Sequence, residues 1–188
     1  MPRVLELFNE KRKHPKAACA PCSQPHNGGT MADPLPTTAD TAGDAAERIC
    51  AAHILRGVQR LLRSLGIESL AEVPLNNGRR ADVMGVKYDG TIWIVEIKSS
   101  IADFRSDNKW PEYRDYCDAL SFAVAPDFPN EILPADAGLI LADAYGGDIT
   151  RPASEARLSP ARRKAVTLSF ARLSAARLQG LLDPGPLR

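Results

Sequence analysis

Between Asp44 and Gly66 the apolar positions fall at 46, 49, 50, 54, 57, 58, 61, 62 and 65. That 3.6-residue recurrence predicts an amphipathic helix with one buried stripe. Asp44, with Glu47 three residues on, reads as a capping-box start, and Gly66 reads as the stop. His53 falls on the apolar stripe, which favours a core histidine over a ligand. The chain before Asp44 shows no sustained period. Residues 1–43 are rich in Pro, Gly, Thr and Ala and read as a disordered leader, with Met31 as an alternative start.

Past Gly66 the apolar runs are short. "SLAEVPL" (69–75) predicts a strand whose Pro74 suits a strand end or an edge. A hairpin is expected over 80–99. A second helix is expected over about 109–120, because Pro111 fits only a first turn, with Trp110, Tyr113, Cys117 and Leu120 along one face. "SFAVAP" (121–126) and "AGLILADA" (137–144) predict two more strands. Ser159-Pro160 opens a basic helix that runs to about Leu182, followed by a tail over 183–188. The order α-β-β-β-α-β-β-α over 44–182 predicts one α/β or α+β domain with a mixed sheet.

The hairpin carries the chemistry. In "RRADVMGVKYDGTIWIVEIKSS" (79–100) two apolar strands contain Asp82 and Glu96, with Lys98 two residues beyond the glutamate. Turn type decides which side chains meet. A two-residue turn at Asp89-Gly90 would set Asp82 opposite Ile97 and send Glu96 to the other face. A three-residue loop, Tyr88-Asp89-Gly90, with a left-handed glycine in a bulged turn, sets Asp82 opposite Glu96, Met84 opposite Ile94, Val86 opposite Ile92 and Arg80 opposite Lys98. The glycine stands where the left-handed residue is required, so the bulged turn is expected. Two carboxylates then face each other at about 5 Å between Cβ atoms, where like charges repel. A divalent cation bound by oxygen, Mg²⁺ or Mn²⁺, would relieve that repulsion. The same groups also fit buried ion pairs, Glu96 with Lys98 or Asp82 with Arg80.

Composition narrows the class. The 188 residues are 44% hydrophobic and 25% charged, ordinary for a soluble globular protein with a real core. No apolar run approaches the ~18 residues of a membrane span, and the N-terminus lacks the apolar stretch of a secretory signal, so no membrane partner and a cytoplasmic location are expected. Four cysteines do not make a disulfide scaffold at this length. Cys19 and Cys22, with His14 and His26 nearby, match the spacing of no common zinc finger. The net charge of +1 is unevenly spread. Residues 31–150 hold eleven Lys/Arg against nineteen Asp/Glu, and residues 151–188 hold eight against two. An acidic middle suits a cation and a basic end suits phosphate, unless both are simply solvated faces.

Asp82, Glu96 and Lys98, on a hairpin that follows a first helix, resemble the D-x(n)-E-x-K core of the PD-(D/E)XK nuclease superfamily. The longer string "RRADV", "IVEIKSS", "DFRSDNKWPEYRDYCDALSFAVA", "GLILADAYG" and "SPARRKAVTLSFARLSAARL" resembles the MmcB family of DNA repair endonucleases over about 44–182. The resemblance implies a restriction-endonuclease-like αβββαβ core with a mixed central sheet and an added C-terminal helix. It also implies Mg²⁺- or Mn²⁺-dependent phosphodiester hydrolysis on DNA, in company with DNA repair proteins. In its terms Asp82, Glu96 and the Ile97 carbonyl hold the metal, and Lys98 assists the attacking water. Glu47 of the first helix completes the site, with Glu72 of the first strand as its rival. Lys109, backed by Tyr113, stands beside the site, and Trp110 packs in the core. Arg80, Arg162, Arg163 and Lys164, with Arg172 and Arg177, contact nucleic acid or form a solvated face. Ala81 departs from the proline of the "PD" pair. Two other readings stay open: an inactive nuclease-fold DNA-binding or adaptor module in a repair complex, and a structural domain with buried ion pairs.

Overall fold

The structure, a computed structural model, describes residues 49–107 and 109–185. Its elements run α1 (Ala51–Ser64), β1 (Glu68–Pro74), β2 (Arg80–Val86), β3 (Ile92–Lys98), α2 (Ile101–Ser106), a 3-10 helix (Trp110–Tyr116), β4 (Ala119–Val124), β5 (Gly138–Ala142), β6 (Gly147–Arg151) and α3 (Pro160–Leu182). A short 3-10 turn over Asn130–Ile132 lies between β4 and β5. The strands form one six-stranded sheet in sequence order. Strands β1, β2 and β3 are antiparallel, β3, β4 and β5 are parallel, and β6 returns antiparallel to β5. This is the expected α/β fold with a mixed sheet and an added C-terminal helix.

Three layers follow from the periods. The α1 stripe, Ile54, Val58 and Leu62, packs on Val83, Trp93 and Val95 on one face of the sheet. The alternate residues Met84, Ile92 and Ile94 meet Tyr113, Tyr116 and Val166 of the 3-10 helix and α3 on the other. Strand β3 is buried at all seven positions, as a central strand covered on both faces must be. Among the described residues no helix is long and apolar enough to cross a membrane.

Four local expectations change. Helix α1 starts at Ala51, behind an extended Cys50, rather than at Asp44. Ile49 reaches the core from that non-helical stretch, so its apolar position is satisfied without helix. The leader, Met31, Cys19, Cys22, Asp44 and Glu47 lie outside the described residues. His53 is half-buried at the stripe's margin. The second α-helix expected over about 109–120 is instead a 3-10 helix over Trp110–Tyr116, and a short α-helix not foreseen, α2, precedes it at Ile101–Ser106. Helix α2 is capped by the Ser100 hydroxyl, which accepts from the Asp103 N–H. The 3-10 helix follows, and its three-residue turn puts Trp110, Tyr113 and Tyr116 on one face. Over one turn that spacing is hard to tell from 3.6. Cys117 and Leu120 then leave the helix, and β4 begins at Ala119. Strand β6, "GDITR", was not foreseen, because an exposed edge strand carries little apolar alternation.

The β5–β6 turn docks on α1 through a glycine. A Cβ at Gly57 would sit 2.1 Å from the Asp143 carbonyl oxygen and 2.4 Å from that of Gly146. The Arg60 guanidinium donates to the Ala144 carbonyl at 2.9 Å and pins the same turn. Gly57→Ala is therefore expected to cost about 2–3 kcal/mol by overpacking. A thermal melt should show a drop on the order of 10 °C. An unchanged Tm would mean that the turn is free to move off the helix.

Candidate active site

The hairpin has the bulged register. Lys87 and Thr91 close the loop, Gly90 N–H donates back to the Lys87 carbonyl at 3.0 Å, and Gly90 has φ +80°. Met84 pairs with Ile94 and Val83 with Val95. The ladder stops there, one step short of Asp82 and Glu96. In place of the next rung, the Ile97 N–H donates to Asp82 Oδ2 at 2.8 Å and the Asp82 N–H donates to Glu96 Oε1 at 3.3 Å.

Both carboxylates line a cleft of about 630 Å³, together with Glu72, Lys98, Lys109 and Tyr113. The N-terminal end of α1 closes one side through Ala51, Ala52 and Leu55. The site lies at the carboxyl end of β3, where open α/β sheets commonly bind ligands. Glu96 is 2% exposed. Burial and then the charge of Asp82 push its carboxyl up to about 8. Burial likewise raises Asp82, against the pull of the Ile97 N–H and of Lys98. Two acids that resist ionisation side by side fit an oxygen-bound cation, since a cation would take the place of the proton they retain. The Ile97 side chain belongs to the α1-side core.

Lys98 is 4% exposed, and its Nζ meets Asp107 Oδ2 at 2.5 Å rather than Glu96. Burial favours its neutral form, but the Asp107 hydrogen bond, the Asp107 charge and then Glu96 outweigh it, so the ammonium is retained. Asp107 also accepts the Lys109 N–H at 2.9 Å. Sequence reasoning missed Asp107, and no local spacing marks it. Asp103, which also lines the cleft, did carry a signal: Ser100-x-x-Asp103 is a capping pattern at the start of α2.

The other expected residues divide. Lys109 is exposed at the cleft. Tyr113 is buried, and its hydroxyl donates to the Arg80 carbonyl at 3.2 Å, holding the start of β2. Arg80 is exposed and ion-paired with Glu72. Trp110 packs edge-on against Phe122 at 5.5 Å, a core role. None of Arg162, Arg163 and Lys164 lines the cleft. They begin α3 near the hairpin turn, and six residues of β3, roughly 20 Å, separate that end of the strand from Lys98.

Arg163 is a correction. Its guanidinium makes a bidentate pair with Asp118 at 2.7 and 2.6 Å and donates to the Gly90 carbonyl at 2.6 Å, so it ties α3 to the hairpin turn. Buried Asp118 also accepts the N–H groups of Ile92 and Leu158. Burial works against its charge, but Arg163 and those two donors hold it below the usual carboxylate range. Arg163→Gln should strand that acid and cost roughly 3 kcal/mol, whereas Lys164→Gln on the exposed face should stay within about 0.5 kcal/mol. Comparing the two thermal melts checks this, and equal melts would refute it. Arg177 is likewise engaged, by backbone carbonyls of β1. That leaves Arg162, with its guanidinium 5.2 Å over the Tyr116 ring, and Lys164 and Arg172 on the exposed face.

A family model described as "DNA repair protein MmcB-like" matches residues 38–185. A solved structure from Silicibacter pomeroyi, the SPO1766 protein of unknown function, is 49% identical over 71% of this chain and 92% of that one, with a TM-score of 0.68. No curated protein matches the chain.

Proposed function

Because the chain belongs to the MmcB-like family of DNA repair proteins, we propose that it is a metal-dependent DNA endonuclease of the PD-(D/E)XK type acting in repair. The observation that carries this reading is the meeting of Asp82, Glu96 and Lys98 in one cleft, at the row where the β2–β3 ladder gives way. Asp82, Glu96 and the Ile97 carbonyl would hold Mg²⁺ or Mn²⁺, a hard-cation donor set that leaves room for water and substrate phosphate. When bound, the metal supplies positive charge for the phosphorus oxygens and lowers the pKa of its water.

The chain's own groups have separable tasks. The Ile97 N–H fixes the rotamer of Asp82 by its bond to Oδ2. Lys98 keeps its proton at Nζ and brings a fixed positive charge to the cleft, where the Asp107 carboxylate sets the ammonium's position. Lys109 in the cleft, and exposed Arg80, paired with Glu72, offer cations to the flanking phosphates. The hydroxyl of Tyr113 holds β2, and with it Asp82, against the sheet. The exposed trio Arg162, Lys164 and Arg172 would add sequence-independent affinity away from the cleft.

One observation favours a second reading, a DNA-binding or adaptor module that does not cleave. Among the described residues no three His, Cys, Asp or Glu side chains come together as a metal cage. A cleavage assay with Mg²⁺ or Mn²⁺ on single-stranded, duplex, flap and branched DNA separates the two. The nuclease reading expects metal-dependent products with the wild type and on the order of a hundredfold less with Lys98→Ala. The variant Lys98→Ala/Asp107→Asn should cleave as poorly while folding better, since it removes the stranded acid. Binding of DNA without cleavage by the wild type in either metal would select the adaptor.

A further inference from the structure

Glu72 is the one non-glycine residue with positive φ among the described residues, at +52°. An L side chain in that region is strained and persists only where its surroundings hold it. The β1–β2 ladder pairs Ala71 with Val83 and Val73 with Ala81, and the rung between them, Glu72 with Asp82, is missing. The gap falls on the same row of the sheet as the break between Asp82 and Glu96. What holds the kink is α3. Arg177 Nη1 donates to the Ala71 carbonyl at 2.6 Å and Nη2 to the Glu72 carbonyl at 2.8 Å. A planar fork that spans two successive carbonyls defines the orientation of both peptide planes. Glu72 lines the cleft, and its carboxylate is ion-paired with Arg80.

We propose that Arg177 is a positioning residue of the candidate active site: it locks the left-handed backbone at Glu72 and so sets this third carboxylate at the cleft beside Asp82 and Glu96. The inference rests on the metal-nuclease reading. It gives the far end of α3 a task at the site, and it gives β1 the acid that was otherwise expected from Glu47. Because the three carboxylates do not close into a direct cage, Glu72 acts at one remove, on the water shell of the cation.

The test is Mn²⁺ binding by the full chain, followed by titration calorimetry and by the metal-induced rise in Tm, neither of which needs turnover. Wild type should bind and Asp82→Asn should not. Glu72→Gln should weaken Mn²⁺ about tenfold. Arg177→Ala should weaken it similarly, and the double variant should be no weaker than Glu72→Gln alone, since the two act on one contact. Arg177→Lys, which cannot span both carbonyls, should resemble Arg177→Ala and carries the test if the alanine variant does not fold. Glu72→Gly, free of the backbone strain, should melt no lower than Glu72→Gln without metal yet bind Mn²⁺ as weakly. If Arg177→Ala and Arg177→Lys lower the metal-free Tm but leave Mn²⁺ affinity at the wild-type value, Arg177 is only a strut and the inference falls while the metal reading stands. If wild type shows no response to Mn²⁺, the metal reading fails and takes this inference with it.

Discussion

Asp82→Asn is expected to abolish metal-dependent cleavage, by on the order of a thousandfold or more, and to remove the rise in Tm that Mg²⁺ or Mn²⁺ gives the wild type. The substitution is nearly isosteric, and its side-chain oxygen can still accept the Ile97 N–H that Asp82 accepts at 2.8 Å. Misfolding is therefore a poor explanation for the loss. Without metal the effect reverses. Asp82 is raised by burial, and its charge is the second cause, after burial, that raises Glu96. Removing it should make the metal-free variant melt higher than wild type near neutral pH. Opposite signs with and without metal distinguish a cation site from an ion pair, because an ion pair would lose stability in both conditions. A metal-free variant that melts below wild type would count against the cation site.

The second large effect is a fall in metal-free stability as pH rises from about 5 to 8. The Glu96 carboxyl stands at about 8 in the folded protein against an ordinary 4.5. Between those values the folded chain holds a proton that the unfolded chain has released. Stability from this group is thus complete below about 4.5, declines through the interval and levels off above 8. The decline is on the order of 3–5 kcal/mol for a group this buried. Asp107 and Asp118 are held below the ordinary carboxylate range, so their contribution is lost only as pH falls into the acid range, outside this window. Glu96→Gln should remove most of the decline between pH 5 and 8, leaving the part that comes from Asp82, whose carboxyl burial also raises. Added Mn²⁺ should raise Tm most at the alkaline end, where no proton has to be displaced. Denaturant melts across pH check both, and a wild-type profile as flat as that of Glu96→Gln would show that the carboxyl ionises freely.

Much of the site was legible because a hairpin is a local object. "KYDGT" puts glycine where the bulged loop needs a left-handed residue, and that choice alone sets Asp82 against Glu96. The stripe Ile54, Val58 and Leu62, the end of β1 at Pro74 and the cap Ser159-Pro160 were legible for the same reason: period, cap and turn are fixed within a few residues. The 3-10 character of Trp110–Tyr116 was not, since three-residue and 3.6-residue spacings coincide over a single turn, and the six-residue α2 before it, too short to show a period, was not foreseen. Strand β6 was not either, because its exposed residues carry no apolar code.

The partners of the charges were decided by tertiary structure alone. Lys98 stands two residues from Glu96 yet binds Asp107, because α2 and the following turn deliver that acid to the end of β3. Arg163 and Arg177 look alike in a basic helix, but one neutralises Asp118 at the hairpin turn and the other clasps β1 beside the cleft, opposite ends of the same sheet. Sequence fixes the backbone through short-range sterics and apolar periodicity. It leaves open which partner each charged group meets: the Arg163–Asp118 pair and the bond from Arg177 to the Glu72 carbonyl join residues 45 and 105 positions apart that only the packing of α3 on the sheet brings together.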